Sequence, residues 1–392
     1  MKILMVNKFL YRVGGCENYM FGLADSLKKN GHEVQYFGLK NEKNIVGNDF
    51  NLYVESYDDK KIFNPLSIVY NKKAKKLMGK LLDLYKPDVV HMNNIYYHLT
   101  PSIIDACKEK GVPVVMTVHD YQLVCPNHML YRFDINDVCE QCVKERNSKG
   151  CKQNKCIKNS KLKSILGAME FNRNHKNHPY DYVSYFLCPS EFIKNKLIDG
   201  GYDANKTILM RNFISSVKAN EVPNKKDYAL FFGRLSNEKG IELLLEAWPE
   251  NRELVIAGTG PLEDEVRKVN KPYIKQLGFI SGEGLQTLIK EAKFSIYPSK
   301  WFENCPLSII ESISFCTPVV AANAGGNPEL IDDKVNGLLY ENNNPKDLRE
   351  KIEYLFDNES VLNDMIKSCL LYKRVPTIDE YYNEIIKLYS KL

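Results

Sequence analysis

The sequence lacks a long apolar run. No stretch approaches the roughly 18 apolar residues that a membrane-spanning helix needs, which argues against a membrane span. Residues Ile3 to Val6 are apolar, but Asn7 and Lys8 end this run before it reaches the length of a signal-peptide core. We therefore expect Lys2–Val6 to be a buried first strand and the protein to be cytoplasmic.

Low-complexity tracts, internal repeats and a strong charge imbalance are also missing from the sequence. Hydrophobic residues make up 44% of the chain and charged residues 26%, a globular composition that argues against disorder. A chain of 392 residues normally forms two domains. The net charge of +5 is mild and does not by itself indicate nucleic-acid binding.

The basic residues are concentrated in two clusters. The first contains Lys144, Arg146, Lys149, Lys152, Lys155, Lys158, Lys161 and Lys163. The second contains Lys72, Lys73, Lys75, Lys76 and Lys80. Such clusters attract an anionic membrane surface or a phosphorylated acceptor, and an ordinary solvated surface is the alternative.

Short apolar runs alternate with amphipathic segments in both halves of the chain. The predicted strands of the first half are Lys2–Val6, Val34–Gly38, Val89–Met92, Val114–Val118 and Phe186–Pro189. Those of the second half are Tyr228–Phe232, Glu253–Ala257, Ile274–Leu277, Phe294–Tyr297 and Pro318–Ala321. This alternation predicts an α/β protein with two Rossmann-like, doubly wound domains that face each other across a cleft.

We place the first domain at residues 1–212 and the second at residues 223–376. Residues 125–160 break the alternation, are rich in cysteine, lysine and asparagine, and are predicted to be an insertion. The amphipathic segment 377–392 is predicted to be a helix beyond the second domain.

The segment Gly233–Gly240 follows a predicted strand and precedes a helix. Arg234 offers a planar fork of donors to phosphate oxygens, and Lys239 adds a point charge. Cations placed in this way stabilise a departing nucleoside diphosphate, which gains negative charge as its glycosidic bond breaks. Two surface charges on a loop are the alternative.

Two carboxylates, Glu303 and Glu311, lie on either side of Pro306, which suits the first turn of a helix. Along a helix they would be about 12 Å apart, too far for the acid pair of a hydrolase. They suit two parts of an extended ligand, because carboxylates accept hydrogen bonds from vicinal hydroxyls. Taken alone, a helix-terminal charge and a solvated side chain explain them more simply.

Two further motifs follow predicted strands of the first half. Gly14-Gly15 lets the backbone approach a ligand closely and presents N–H groups at a helix N-terminus. His119, followed by Asp120, is placed to donate a hydrogen bond to a hydroxyl or a phosphate. A tight turn and a structural histidine are the alternatives.

Together these residues resemble the family 4 glycosyltransferases of the GT-B fold, which retain the anomeric configuration of the sugar. The resemblance rests on Glu-x7-Glu at 303–311, Gly-Arg…Lys-Gly at 233–240 and the early Gly-Gly. It covers essentially the whole chain outside the cysteine-rich insertion. It implies a GT-B architecture whose C-terminal helix, 377–392, crosses back to the first domain. One departure is Cys305-Pro306, where many relatives have Phe-Gly.

The resemblance also implies roles for individual residues. The catalytic set would be Arg234 and Lys239 on the donor diphosphate, with Glu303 and His119 on the sugar. The ligand-binding set would be Gly14, Gly15, Gly233, Gly258, Ile280, Leu307, Ser308 and Glu311. In this set Glu311 would accept from the ribose hydroxyls and Ile280 would meet the base.

The same resemblance implies the reaction. Members of the family usually need no metal for catalysis, and no residue here is an obvious covalent nucleophile. We therefore expect front-face attack, with the leaving phosphate helping to deprotonate the acceptor hydroxyl. A UDP-sugar is the favoured donor and a GDP-sugar the next.

The eleven cysteines are an odd number in a chain without a signal peptide, so a disulfide framework is a poor prediction. Cys139, Cys142, Cys151 and Cys156 have a spacing that suits a structural zinc ion, and Cys125 is an alternative ligand. Zinc, free thiols and disulfides all stay open. Because members of this family bind acceptors on the first domain, we expect the insertion to shape acceptor choice.

Two other kinds of function stay open. The first is another GT-B enzyme, either a nucleotide-sugar epimerase or a phosphorylase. The second is a nucleic-acid-binding protein with a basic zinc module, which would leave the aligned charged residues unexplained. The expected partners are a nucleoside diphosphate sugar, a glycan or lipid-linked acceptor of surface polysaccharide or glycolipid synthesis, and an anionic membrane at the periphery, without nucleic acid.

Overall fold

The protein is described by a computed structural model that covers residues 1–57, 64–214 and 219–392. The chain divides into two compact units. The first unit comprises Met1–Ile135, Cys139–Phe213 and Thr377–Leu392. The second unit comprises Asn136–Val138 and Ile214–Pro376.

The first half of the chain contains eight strands in the described residues. They are β1 (Lys2–Val6), β2 (Glu33–Phe37), β3 (Val89–Met92), β4 (Val114–Thr117), β5 (Tyr131–Arg132), β6 (Asp137–Val138), β7 (Val183–Cys188) and β8 (Thr207–Leu209). Six of them form a parallel sheet in the order β2-β1-β3-β4-β7-β8. The strand order reverses between β1 and β3, which places a topological switch point at the carboxyl ends of these two strands.

Seven α-helices lie between these strands in the described part of the first half. They are α1 (Gly15–Lys29), α2 (Lys72–Tyr85), α3 (Ser102–Lys110), α4 (Gln141–Glu145), α5 (Lys149–Gln153), α6 (Lys161–Asn177) and α7 (Glu191–Asp199). Ile3 to Val6 are fully buried in β1, as expected of a parallel strand covered by helices on both faces. The predicted bounds of this first strand are confirmed.

The second half repeats the same plan with six strands. They are β9 (Lys226–Phe232), β10 (Glu253–Ala257), β11 (Ile274–Gly278), β12 (Ala292–Tyr297), β13 (Val319–Ala322) and β14 (Gly337–Tyr340). They form a parallel sheet in the order β11-β10-β9-β12-β13-β14. Here the order reverses between β9 and β12. The prediction of two Rossmann-like α/β domains is therefore confirmed.

Eight α-helices complete the described residues. They are α8 (Ile241–Ala247), α9 (Glu263–Arg267), α10 (Gly282–Glu291), α11 (Leu307–Ser314), α12 (Asn327–Leu330), α13 (Pro345–Asp357), α14 (Glu359–Leu371) and α15 (Ile378–Tyr389). A search of the described residues finds no helix with the length and apolar character that a membrane crossing requires.

The C-terminal helix α15 packs into the first unit, as predicted. Thr377 caps the helix and forms a capping box with Glu380. Tyr381, Ile385 and Tyr389 are buried in the same apolar core as β1 and α1. Burial of this one face explains why an amphipathic segment at the end of the chain folds back onto the first unit.

Candidate active site

The charged residues of the second unit lie at the switch point of its sheet. Gly233 and Arg234 follow β9 directly, and the loop after β12 carries Glu303. Arg234 is exposed, whereas Glu303 is buried. Because the carboxyl ends of parallel strands share one edge, this edge has the position at which open α/β sheets bind ligands.

Lys239 and Glu303 form the central ion pair of this edge. The Nζ of Lys239 lies 2.6 Å from Glu303 Oε1 and 3.1 Å from the hydroxyl of Tyr297. Ser299 also donates to Glu303 Oε1, at 2.7 Å, and so does the indole N–H of Trp301. All the hydrogen bonds described for this carboxylate reach Oε1, so Oε2 is the oxygen that can accept from a ligand.

The pair stays fully ionised. Burial lowers the pKa of Lys239 more than any other single cause, but the attraction of Glu303 and Tyr297 and the hydrogen bonds to both together outweigh it, and the net shift is upward. Burial would raise the pKa of Glu303, but the attraction of Lys239 and the surrounding hydrogen bonds hold it below the usual value. The site therefore combines a fixed cation with a fixed carboxylate.

Two glycines allow the loops of this edge to approach one another. Gly240 has a φ of +71°, and a Cβ there would lie 2.0 Å from the carbonyl oxygen of Pro298. Gly325 has a φ of +61°, and a Cβ there would lie 2.4 Å from the carbonyl oxygen of Glu303. Both positions require glycine for backbone conformation and for space.

The helix α11 begins directly after this loop, with Pro306 at its N-cap and Cys305 buried before it. Leu307 and Ser308 occupy its first turn, where backbone N–H groups lack partners within the helix. Glu311 lies on the same helix, and burial raises the pKa of its carboxyl group to about 7. The start of the helix and the carboxyl group of Glu311 therefore lie on one element that begins directly after the loop of Glu303.

A cavity of about 420 Å³ opens beside the ends of β10 and β11. Its lining includes Gly258, Gln276 and Gly278, and its volume suits a small molecule. The next residues along the chain are Phe279, which is 73% exposed, and the half-buried Ile280. The site residues predicted for the second half therefore lie in the second unit, in the loops that follow its strands and on α11.

The remaining predicted residues lie in the first unit. Gly14 precedes α1, and its backbone N–H donates to Glu17 Oε2 at 3.0 Å. Glu17 Oε1 in turn accepts from Asn7 Nδ2 at 3.0 Å. Gly15 is the first residue of the helix and is exposed. The early Gly-Gly is therefore fixed to the end of β1 by an internal carboxylate and stays open to solvent.

His119 lies just after β4 and is held in one orientation. Its Nε2 lies 2.8 Å from Asn93 Oδ1, and Asn93 Nδ2 donates to the carbonyl oxygen of Val6. Burial lowers the pKa of His119 to about 3, so the ring is neutral at pH 7. Because Oδ1 can only accept, Nε2 carries the proton and Nδ1 is left as an acceptor.

Sequence reasoning missed several side chains of both edges. In the second unit it missed Tyr297, Ser299 and Trp301, although the run Tyr-Pro-Ser-Lys-Trp-Phe-Glu places them close to Glu303. In the first unit it named Asp120 after His119 without giving it a role, and burial raises the pKa of this carboxyl group to about 7. It also did not single out Glu170, which lies on α6. Burial raises the pKa of this carboxyl group to about 8, and no sequence motif on α6 indicated a functional residue.

The cysteines of the insertion lie close together in the first unit. Cys142, Cys151 and Cys156, three of the four predicted zinc ligands, interact electrostatically with one another and with Cys125. Cys139 is partly exposed and is the weakest thiol neighbour of Cys142. Across the residues that the structure describes, no three cysteine, histidine, aspartate or glutamate side chains already have the spacing of metal ligands.

Comparisons with known proteins agree with this geometry. Anabaena HepE, solved in complex with UDP and glucose, superposes with a TM-score of 0.70 over 100% of both chains, at 16% identity. An uncharacterized glycosyltransferase of Methanocaldococcus jannaschii is 27% identical over 360 residues, covering 85% of this chain and 83% of that protein. An uncharacterized 42.6 kDa protein in the cps region of Klebsiella pneumoniae is 26% identical and covers 84% of this chain and 87% of its own.

The two doubly wound units and the HepE superposition define the GT-B fold. The model of Glycosyltransferase Family 4 matches residues 13–216, and that of the group 1 glycosyl transferases matches residues 213–369. The chain belongs to Glycosyltransferase Family 4. The expectation of a glycosyltransferase drawn from the sequence is confirmed.

Proposed function

We propose that this protein transfers a hexose, with retention of configuration, from a UDP-sugar to a hydroxyl group of a glycan or lipid-linked acceptor in surface polysaccharide or glycolipid synthesis. The observation that carries the proposal is the ionised Lys239–Glu303 pair at the switch point of the second sheet. The fold of HepE, which was solved with UDP and glucose, supports a UDP-sugar. The relative from a cps region of Klebsiella supports polysaccharide synthesis.

In this proposal the second unit stabilises the leaving nucleotide. Negative charge grows on the diphosphate as the glycosidic bond breaks. The cationic side chains of Lys239, which is paired with Glu303, and of the exposed Arg234 stabilise this charge. The amides of Leu307 and Ser308 add partial positive charge at the start of α11. Glu311 would accept from the ribose hydroxyls, and the loop of Gly258 and Ile280 would border the base.

The carboxylate of Glu303 acts on the sugar and not as a nucleophile. Its Oε1 already accepts from Lys239, Ser299 and Trp301. Oε2 remains to accept a hydrogen bond from a hexose hydroxyl, which fixes the sugar in position. With no covalent nucleophile assigned, the acceptor hydroxyl attacks the anomeric carbon on the face that the phosphate leaves, and the departing phosphate takes its proton.

His119 of the first unit contacts the transferred sugar in this proposal. The sequence suggests a hydrogen-bond donor at this position. The contact with Asn93 instead commits Nε2–H and leaves Nδ1 to accept from a sugar hydroxyl. A neutral imidazole suits this role, because it neither competes with the cations of the second unit nor protonates the acceptor.

Thermal unfolding in EDTA with UDP, GDP, ADP and CMP tests the donor assignment. A ligand that binds the native state alone raises its stability by about 2.7 kcal/mol at 100 times its Kd. We expect UDP to raise the melting temperature of the wild type and not of Arg234→Ala. Lys346→Ala, at an exposed position on α13, is the matched control and should keep the shift. A thermal shift with GDP alone would show that the donor is a GDP-sugar and not a UDP-sugar. A shift with UDP that persists in Arg234→Ala would show that Arg234 does not bind the nucleotide.

We also propose that the first basic cluster holds the enzyme at an anionic membrane. All eight of its basic residues are exposed, and Leu162 within it is 68% exposed. Sedimentation with vesicles of phosphatidylglycerol should retain the protein, and vesicles of phosphatidylcholine should not. The triple variant Lys152→Glu, Lys155→Glu, Lys158→Glu should lose retention. Equal retention of this variant would contradict the proposal.

A further inference from the structure

The cysteine-rich insertion contains little regular structure of its own. Its helices α4 and α5 have five residues each, and its strands β5 and β6 have two each. Helices this short are not stable by themselves. Three of its buried side chains are the thiols of Cys125, Cys142 and Cys151, which are 7%, 8% and 1% exposed. Small, loop-rich segments of this kind normally depend on a covalent or metal cross-link.

Four thiols are gathered at the centre of this segment. Those of Cys125, Cys142, Cys151 and Cys156 each interact electrostatically with the other three. Cys151 and Cys156 are also joined through the backbone, since the N–H of Cys156 donates to the carbonyl oxygen of Cys151 at 3.2 Å. The four come from separate places: the loop after β4, the helices α4 and α5, and the turn after α5.

We propose that Cys125, Cys142, Cys151 and Cys156 bind one structural zinc ion that holds the insertion together. Four thiolates complete the tetrahedral shell of zinc and leave no open position for catalysis. Four S–H bonds give way to four Zn–S bonds, and four protons pass to the solvent. The resulting charge of −2 lies among exposed lysines of the insertion, and Arg132, which pairs with Asp134, lies close to Cys156.

This set differs from the one predicted by spacing, because Cys125 replaces Cys139. Cys125 is buried and interacts with the other three thiols, whereas Cys139 is partly exposed and faces Arg132. Spacing favoured Cys139 because it forms a C-x2-C pair with Cys142.

The thiols converge but do not yet surround one point. Among the described residues, no three cysteine, histidine, aspartate or glutamate side chains have the spacing of metal ligands. Cys125 Sγ donates to Asn127 Oδ1 at 2.9 Å, and Cys151 Sγ approaches the carbonyl oxygen of Ser164 at 4.0 Å. Thiols are weak donors, so rotation of these side chains toward an ion gives up little. Zinc thereby completes a set that the backbone has already brought together.

The test measures zinc in the full chain, purified from zinc-supplemented medium without chelators, by plasma mass spectrometry. The wild type should carry about one zinc ion per chain, and all eleven thiols should react with Ellman's reagent under denaturing, non-reducing conditions. Cys125→Ser should lose most of the zinc, and the matched control Cys139→Ser should keep it. The proposal would be overturned if the wild type carried no zinc, or if fewer than eleven thiols reacted before reduction. Loss of zinc from Cys139→Ser alone would also overturn it.

A second measurement covers the case in which Cys125→Ser fails to fold. Cobalt(II) added to metal-stripped wild type and to Cys139→Ser should give the same thiolate-to-metal absorption, removed by one equivalent of zinc. Absence of this absorption from the wild type would refute the site. Neither measurement uses donor or acceptor, and the UDP-induced thermal shift of Cys139→Ser shows separately whether the donor site is intact.

Discussion

Removal of the Lys239 side chain isolates a buried carboxylate and therefore gives a strong, pH-dependent effect. In Lys239→Ala, Glu303 keeps its bonds from Ser299 and Trp301 but loses its counter-charge. Breaking a buried ion pair costs about 3–5 kcal/mol. The Lys239 side chain is 22% exposed and the Glu303 side chain 7% exposed, and two donors remain, so we expect a loss of about 2–3 kcal/mol at pH 7.

The pH dependence follows from the direction of the Glu303 shift. In the wild type, Lys239 holds the pKa of this carboxyl below its usual value of 4.5, so its contribution is complete above pH 4.5 and is lost as the pH falls through the lower, folded pKa. In Lys239→Ala, burial is no longer offset and raises the folded pKa. Protonation of Glu303 as the pH falls then removes the cost of a buried, unpaired charge in the variant. The difference in unfolding free energy should therefore be largest at neutral pH and shrink toward pH 4.

Fluorescence is a suitable assay because Trp248 and Trp301 are the two tryptophans of the chain and both lie in the second unit. Urea unfolding followed by their emission reports on this unit without interference from the first. Lys275→Ala is the matched control, since the Lys275–Glu253 pair is exposed and should contribute about 0–1 kcal/mol. A loss in Lys239→Ala no larger than that of the control, or a difference independent of pH, would refute the reasoning.

Three further predictions, made with four substitutions, test other features of the two units. Burial raises the pKa of Glu311 from its usual value of 4.5 to about 7, so its contribution to stability falls as the pH rises from 4.5 to 7 and is level above that; Glu311→Gln should remove this pH dependence and weaken UDP binding about tenfold in calorimetric titration. The Cβ of Gly240→Ala would meet a carbonyl oxygen, whereas that of Gly282→Ala would meet open space at a similar φ. Gly240→Ala should therefore unfold at a markedly lower urea concentration, and Gly282→Ala should lose only about 1–2 kcal/mol of unfolding free energy. Equal losses would contradict the steric argument. Tyr381→Phe removes the hydroxyl that bonds Tyr19 and should lower the stability of the first unit by about 1 kcal/mol in calorimetry, whereas an unchanged transition would show that this bond contributes nothing.

Most of the architecture was predictable because most strands and helices have a local signal of their own. Lys2–Val6 is apolar and short, and β1 has these bounds. The second sheet follows from the same alternation, and its charged residues were found because they stand in loops directly after strands. The strands β8 and β14 were missed, since three or four residues at the edge of a sheet give too weak a pattern.

The contacts between distant residues were not predictable from the sequence. Nothing local indicates that Lys239 pairs with Glu303 and that Trp301 shares the same oxygen, because these contacts join loops that follow two different strands. The orientation of His119 depends in the same way on Asn93, which follows another strand. The spacing of the cysteines likewise favoured Cys139 over Cys125 as a zinc ligand, whereas we propose Cys125. A sequence shows how close two cysteines lie along the chain, but not which third cysteine the fold places beside them.

The two sheets place different chemistry at equivalent positions, and this difference supports a division of labour. After β1, β3 and β4 the side chains include the neutral polar groups of Asn7, Asn93 and a His119 whose pKa lies near 3, beside the ionisable Lys8 and Asp120. After β9 and β12 they are charged and fixed. Neutral amides and imidazole suit the hydroxyls of a sugar, whose hydrogen bonding does not change charge during transfer. Fixed cations suit a diphosphate that gains charge as its bond breaks, which supports the proposal that the second unit binds the nucleotide.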